Sequence, residues 1–179
     1  CIDKQRLIQY FFFHQWNRLK GYCNQRGIQI VGDLPMHVSY GSADVWAHRE
    51  LFKLGSDLLP TVVAGVPPDY FSSHGQRWGN PVYNWERMSD IDFAWWVQRL
   101  QHALRLYDFV RIDHFRGFLA GWEIPASSTS AVEGCWVGGP GAKLFDTLYR
   151  RFAHLPINFI LGHARSEDIF AQLRPKIAE

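Results

Sequence analysis

Apolar residues return every three or four positions between Asp3 and Arg26, at Leu7, Ile8, Phe11, Phe12, Trp16, Leu19 and Cys23. That spacing predicts an amphipathic helix, ended by Gly27 after a basic last turn. Ile28-Gln29-Ile30-Val31-Gly32 follows, a short β-branched run that reads as a buried strand ending at Asp33. From Leu34 to about Ser89 no long periodic segment occurs, and five prolines and five glycines interrupt the stretch. A long loop is expected there, and loops of that length in a compact domain are usually functional. Periodicity resumes from Asp90 to Leu106, a helix with Phe93, Trp96, Val97, Leu100 and Leu104 facing inward and Trp95 beside them. Phe109 to Ile112 reads as a second strand, ending at Asp113, and another loop runs to Gly139. Pro140 opens a third helix to about Ala153, with Leu144, Leu148 and Phe152 on one side; proline suits a first helical turn. Ile157 to Leu161 is a third strand, and Ser166-Glu167-Asp168 has the cap and acidic first turn of a last helix.

Helices alternating with short strands imply a parallel sheet, either doubly wound or part of a (β/α)8 barrel. No Gly-x-Gly-x-x-Gly follows a strand, which weighs against a dinucleotide-binding sheet. A full barrel needs eight strands and about 250 residues. Only three strands are read in these 179 residues, so an incomplete barrel is the expectation. The chain opens on Cys rather than Met, inside a helical pattern, as an internal fragment would.

Composition narrows the chemistry. Nineteen Lys+Arg against 17 Asp+Glu leave a formal charge of +2, too small for a nucleic-acid field. No apolar run approaches the roughly 18 residues of a membrane span. Three cysteines, Cys1, Cys23 and Cys135, lie far apart; neither a disulfide framework nor a zinc site is expected, and a reducing compartment is. Aromatics at 16% are the unusual quantity. They supply either a large core or exposed faces on which sugar rings or bases stack.

In a parallel barrel, function gathers at the C-terminal ends of strands. Two strands end in acids, Asp33 and Asp113. A lone Asp there caps a helix more often than it reacts. Asp113 has Arg111 two positions earlier, on the same face of the strand, with His114 and Arg116 following. A guanidinium beside a carboxylate favours its ionised form, which a glycosidic nucleophile requires; a buried structural Arg-Asp pair has the same spacing. Glu123 is a second candidate carboxyl group, or a loop acid bonded to backbone. The eight histidines form no His-x-His or His-Glu-x-x-His set, though His37 and His114 follow strand ends and are placed to line a pocket. Tyr70, Phe71 and Trp78 stand among Pro and Gly in the long loop, as stacking surfaces or as a satellite core.

Gly32-Asp33-Leu34-Pro35, Ser42-Ala43-Asp44-Val45-Trp46, the run from Val63 to Phe71, Trp78-Gly79-Asn80-Pro81 and the run from Arg111 to Gly117 occur in this order. Together with Trp122-Glu123-Ile124-Pro125 and Pro140-Gly141 they closely resemble the 4-α-glucanotransferases of glycoside hydrolase family 77, the amylomaltases, in the α-amylase clan. The resemblance covers nearly the whole chain. It implies one partial catalytic (β/α)8 barrel domain over residues 1–179, and transfer between α-1,4-glucans with retention and without a cofactor. Partners would be maltooligosaccharide, starch or glycogen chains, with no nucleic acid and no membrane, in a cytoplasmic or, in plants, plastid setting. By motif, Asp113 resembles the nucleophile and Arg111 its electrostatic partner. Asp33, His114 and Glu123 would contact substrate, Tyr70 and Phe71 would cover it, and Trp78 and Asn80 would lie nearby.

The resemblance breaks at one place. The family carries Ala-Glu-Asp-Leu-Gly on the next strand, its Glu being the general acid/base. Here the stretch is Asn158-Phe159-Ile160-Leu161-Gly162, with Phe159 in that position. A third family acid, in a His-Asp-Asn motif, falls beyond Glu179. The fragment alone is therefore expected to be a poor catalyst, since retention needs two carboxyl groups about 5–5.5 Å apart. Two competing readings stand: a non-catalytic glucan-binding protein, and a metal-dependent hydrolase using Asp33, Asp113 and His114.

Overall fold

The structure, a computed structural model, describes residues 2–152. The expected strand at Ile157 to Leu161, the helix after Ser166 and Phe159 lie outside the described residues.

Helix α1 (Ile2–Asn24) forms where the periodicity places it. Its packing differs from expectation: Leu7, Ile8, Phe11, Phe12 and Leu19 are exposed, and a narrower row through Phe13, Trp16, Lys20 and Cys23 turns inward. The Trp16 indole donates to the Leu106 carbonyl at 2.8 Å, and Phe13 meets His102 edge-on.

Strand β1 (Val31–Leu34) starts later than its β-branched run suggested and takes in Asp33. Asp108 sets that start: its Oδ2 accepts from the Ile30 amide and from Asn24, both at 2.8 Å. The Ile30 amide is the first cause holding the Asp108 carboxyl below the usual carboxylate range. β1 pairs in parallel with β4 (Phe109–Ile112), Asp33 opposite Arg111. Alternation sends Val110 and Ile112 into the core and Asp33 and Arg111 to the other face. Gly32 is required here, because a Cβ would come within 2.0 Å of the Tyr107 ring.

The stretch from 34 to 89 is not a loop. It contains α2 (Ala43–Ala47), β2 (Val62–Val66), β3 (Gln76–Pro81) and α3 (Trp85–Asp90). Strands β2 and β3 join β5 (Ala120–Pro125) and β6 (Cys135–Gly138) in an antiparallel sheet of order β3-β2-β5-β6. Short strands with Gly65 and Gly79 inside them carry no period, so residue spacing could not reveal this sheet.

The helix read from Asp90 breaks at Asp92 and Phe93, both at positive φ, before α4 (Ala94–Leu106) begins. Trp95, Trp96, Leu100 and Ala103 of α4 are buried. They meet Val110, Ile112, Phe115 and Phe118, and Leu144, Leu148 and Phe152 of α5 (Ala142–Phe152). Part of the aromatic excess packs in this core: Trp96 meets Phe118 edge-on at 5.0 Å, and Tyr83 lies 5.6 Å from Trp95. Arg99 of α4 donates to the Pro35 and Met36 carbonyls at 2.6 and 3.0 Å, pinning the turn that follows β1.

Candidate active site

Arg111 joins the two strand-end acids. Its Nη2 lies 2.6 Å from Asp113 Oδ1 and its Nη1 2.5 Å from Asp33 Oδ2. The in-register pairing of β1 with β4 creates this bridge, so one guanidinium orients two carboxylates. A guanidinium, not a cation-binding gap, joins these acids; among the described residues no three His, Cys, Asp or Glu groups are clustered for a metal. Asp113 is further fixed by its amide, which donates to the Leu34 carbonyl at 3.0 Å. Its side chain is 52% exposed, and Oδ2 has no hydrogen bond among the described residues.

Asp113 opens on a cleft of about 580 Å³ bordered by Asp69, Phe71, Trp78, His114, Arg116 and Trp136. That volume is in the range of small-molecule sites. The chain turns sharply after Asp113: His114 adopts a left-handed conformation, φ 51°, which non-glycine residues take at a cost tolerated mainly where function or packing fixes it. Trp78 meets the His114 ring edge-on at 4.7 Å. The Tyr70 and Phe71 rings lie 3.8 Å apart, tilted at 36°, on the tip between β2 and β3. Asp69 holds that tip, its Oδ1 accepting from the Phe71 and Ser72 amides at 2.9 and 2.7 Å. These aromatics are therefore presented to solvent rather than collapsed into a satellite core.

Behind the cleft, His37 stacks on Tyr83 at 5.6 Å and lies 6.4 Å from His114. Its Nδ1 is buried with no hydrogen-bond partner among the described residues. Burial first, then His114 and Arg99, push its pKa down to about 3, so it is neutral.

Three of the expected site residues do not border this cleft. Glu123 is buried on β5, with both carboxylate oxygens on Lys53 Nζ at 2.6 and 2.9 Å. Alternation puts it on the opposite face from Trp122, which pairs with the cleft residue Trp136. Asn80 does not border the cleft; it donates to the Val38 carbonyl at 3.0 Å, tying β3 to the segment after β1. Asp33 reaches the cleft only through Arg111 and borders a second hollow of about 450 Å³ against α4. Conversely, Arg116 and Trp136 border the cleft and were not singled out from sequence. Trp136 needs the β5–β6 register to bring it there, whereas the position of Arg116 in the Arg111 to Gly117 run was a readable signal.

A parallel strand pair with a helix, α4, leading into its second strand and an oriented carboxylate at the strand end is the local arrangement found in α/β barrels. The family model for 4-alpha-glucanotransferase, glycoside hydrolase family 77, matches residues 1–162, and the chain belongs to that family. It is 56% identical over 149 residues to a 4-alpha-glucanotransferase of Aquifex aeolicus, covering 83% of this chain and 31% of that protein. A chloroplastic/amyloplastic 4-alpha-glucanotransferase of Solanum tuberosum is 45% identical over 169 residues, 94% of this chain and 29% of its own length. Among solved structures, amylomaltase from Streptococcus agalactiae in complex with acarbose superposes with a TM-score of 0.86 at 46% identity, covering 92% of this chain and 34% of that one. Amylomaltase from Corynebacterium glutamicum, at 21% identity and a TM-score of 0.77, shares the fold. The chain thus spans about a third of the length of these relatives.

Proposed function

We propose that this chain is the nucleophile-bearing part of a catalytic barrel domain that transfers segments of α-1,4-glucans between chains. The observation that carries the reading is Asp113, bonded to Arg111 through Oδ1 and bordering an aromatic-walled cleft. Asp113 would attack the anomeric carbon, forming a glycosyl ester as the bond to the leaving 4-oxygen breaks. An acceptor 4-hydroxyl would then displace Asp113, its proton passing to the group that had protonated the leaving oxygen, restoring the original configuration without a cofactor. Arg111 orients the attacking carboxylate and balances its charge. Tyr70 and Phe71, beside the cleft, would help exclude water while the ester waits for a sugar.

The proton for the leaving oxygen must come from another acid, and Phe159 stands where the family motif carries one. That substitution favours a second reading, glucan binding without catalysis, which uses the same cleft. The family's plant and bacterial members and the acarbose in the Streptococcus agalactiae structure support maltooligosaccharide, starch or glycogen chains as ligands. They also support a cytoplasmic or plastid setting. Among the described residues no helix is long and apolar enough to cross a membrane.

Both readings require binding. Millimolar maltoheptaose should change the chain's Trp fluorescence, and Asp113→Asn should retain that change. No response would contradict glucan recognition in either form.

A further inference from the structure

Arg116 differs from the other arginines around the core in how it is used. Arg111 is bound by two carboxylates, Arg99 by two carbonyls, and Arg150 by Asp92. Arg116 has no ion pair among the described residues; its guanidinium carbon instead lies 4.3 Å over the Trp136 ring. Trp136 is in turn held by Trp122, 5.3 Å away at 71°, and the Trp122 indole is fixed by the Ala131 carbonyl at 2.8 Å. A guanidinium held over an aromatic ring rather than against a carboxylate has its N–H donors uncommitted to an ion pair.

Those donors point to one kind of ligand. The cleft offers a donor fork on Arg116, a carboxylate acceptor on Asp113, and apolar faces on Phe71, Trp78 and Trp136. A neutral ring with adjacent hydroxyls on its edge and an apolar face satisfies all three. An anion would meet Asp113 and Asp69 as well as Arg116. We propose that Arg116, pre-set on Trp136, is a specificity-determining clamp for two adjacent hydroxyls of the glucosyl unit beside Asp113. This rests on the glucan reading above.

The test uses the chain labelled with 5-fluorotryptophan and followed by fluorine NMR, the Trp136 signal being the one lost in Trp136→Phe (or Trp136→Tyr, should the first not fold). Maltoheptaose should shift the Trp136 signal. Arg116→Met and Arg116→Lys should each weaken binding about tenfold with unchanged unfolding midpoints, because Lys keeps the charge but not the planar fork. If maltoheptaose binds, leaves the Trp136 signal unmoved and is held equally well by both Arg116 variants, the clamp is wrong and the glucan reading stands. If maltoheptaose does not bind at all, both fall. Tighter binding of glucose 1-phosphate than of maltoheptaose, lost in Arg116→Met, would replace the hydroxyl clamp with an anion site.

Discussion

His37 lies against His114 and Trp78, two residues that border the cleft. Neutral and half-buried, it stacks on Tyr83, whose hydroxyl donates to the Met36 carbonyl. The unfolded chain, with an ordinary His pKa near 6.5, takes up this proton before the folded chain does, at about 3. The stability contribution is therefore whole above pH 6.5 and fades as pH falls from 6.5 toward 3. His37→Phe, which keeps the ring and removes the titration, should flatten that loss. The difference between the two proteins in denaturant unfolding should grow on acidification, reaching up to about 3 kcal/mol at pH 4; parallel curves would show that His37 is not held neutral. At this scale the sequence was legible where spacing alone decides, as for Arg111 and Asp113 two positions apart. Asp33 on the same guanidinium was not, because it depends on the β1–β4 register. The Glu123 partner, Lys53, is equally invisible without the fold.

The elements divide by whether their order is local. Helices α1, α4 and α5 follow from period alone; α4 and α5 each bury one stripe, whereas α1 buries no residue and only half-buries Phe13, Trp16 and Cys23. The break before α4 has no local signal, because Asp92, at positive φ, is kept there by a distant element: its Oδ1 accepts from Thr147 at 2.7 Å and from Arg150 at 3.1 Å, both on α5. The antiparallel sheet carries Trp78 and Trp136 of the cleft wall and has no period in the sequence. Its strands are short, and Gly65 is present because the Gln76 carbonyl and Ile124 approach closely; a Cβ would sit 2.2 Å from that oxygen. The neighbour is backbone and cannot turn aside. Gly65→Ala should thus cost about 2–3 kcal/mol, the upper range for overpacking, read as a lower urea midpoint, and should move the Trp78 and Trp136 environments. An unchanged midpoint would mean that β2 and β3 are not packed as described.

Across the whole molecule, the aromatics divide into a buried cluster around Trp96 and Tyr83, an open set around Asp113, and an exposed set that includes Tyr10, Phe11 and Phe12 of α1. Parallel pairing is limited to β1 and β4 among the described residues, and α1 leaves Leu7, Phe11 and Leu19 exposed. Both features suit a segment whose relatives are about three times longer. The decisive measurement puts it back into such a frame: this chain's residues 2–152 replace the matching third of the Aquifex aeolicus enzyme, which keeps its own remaining strands. The graft should convert maltotriose into glucose and longer chains, and Asp113→Asn in the graft should lower that rate roughly a thousandfold or more without loss of folding. Undiminished transfer by the Asp113→Asn graft would contradict the assignment of Asp113 as nucleophile.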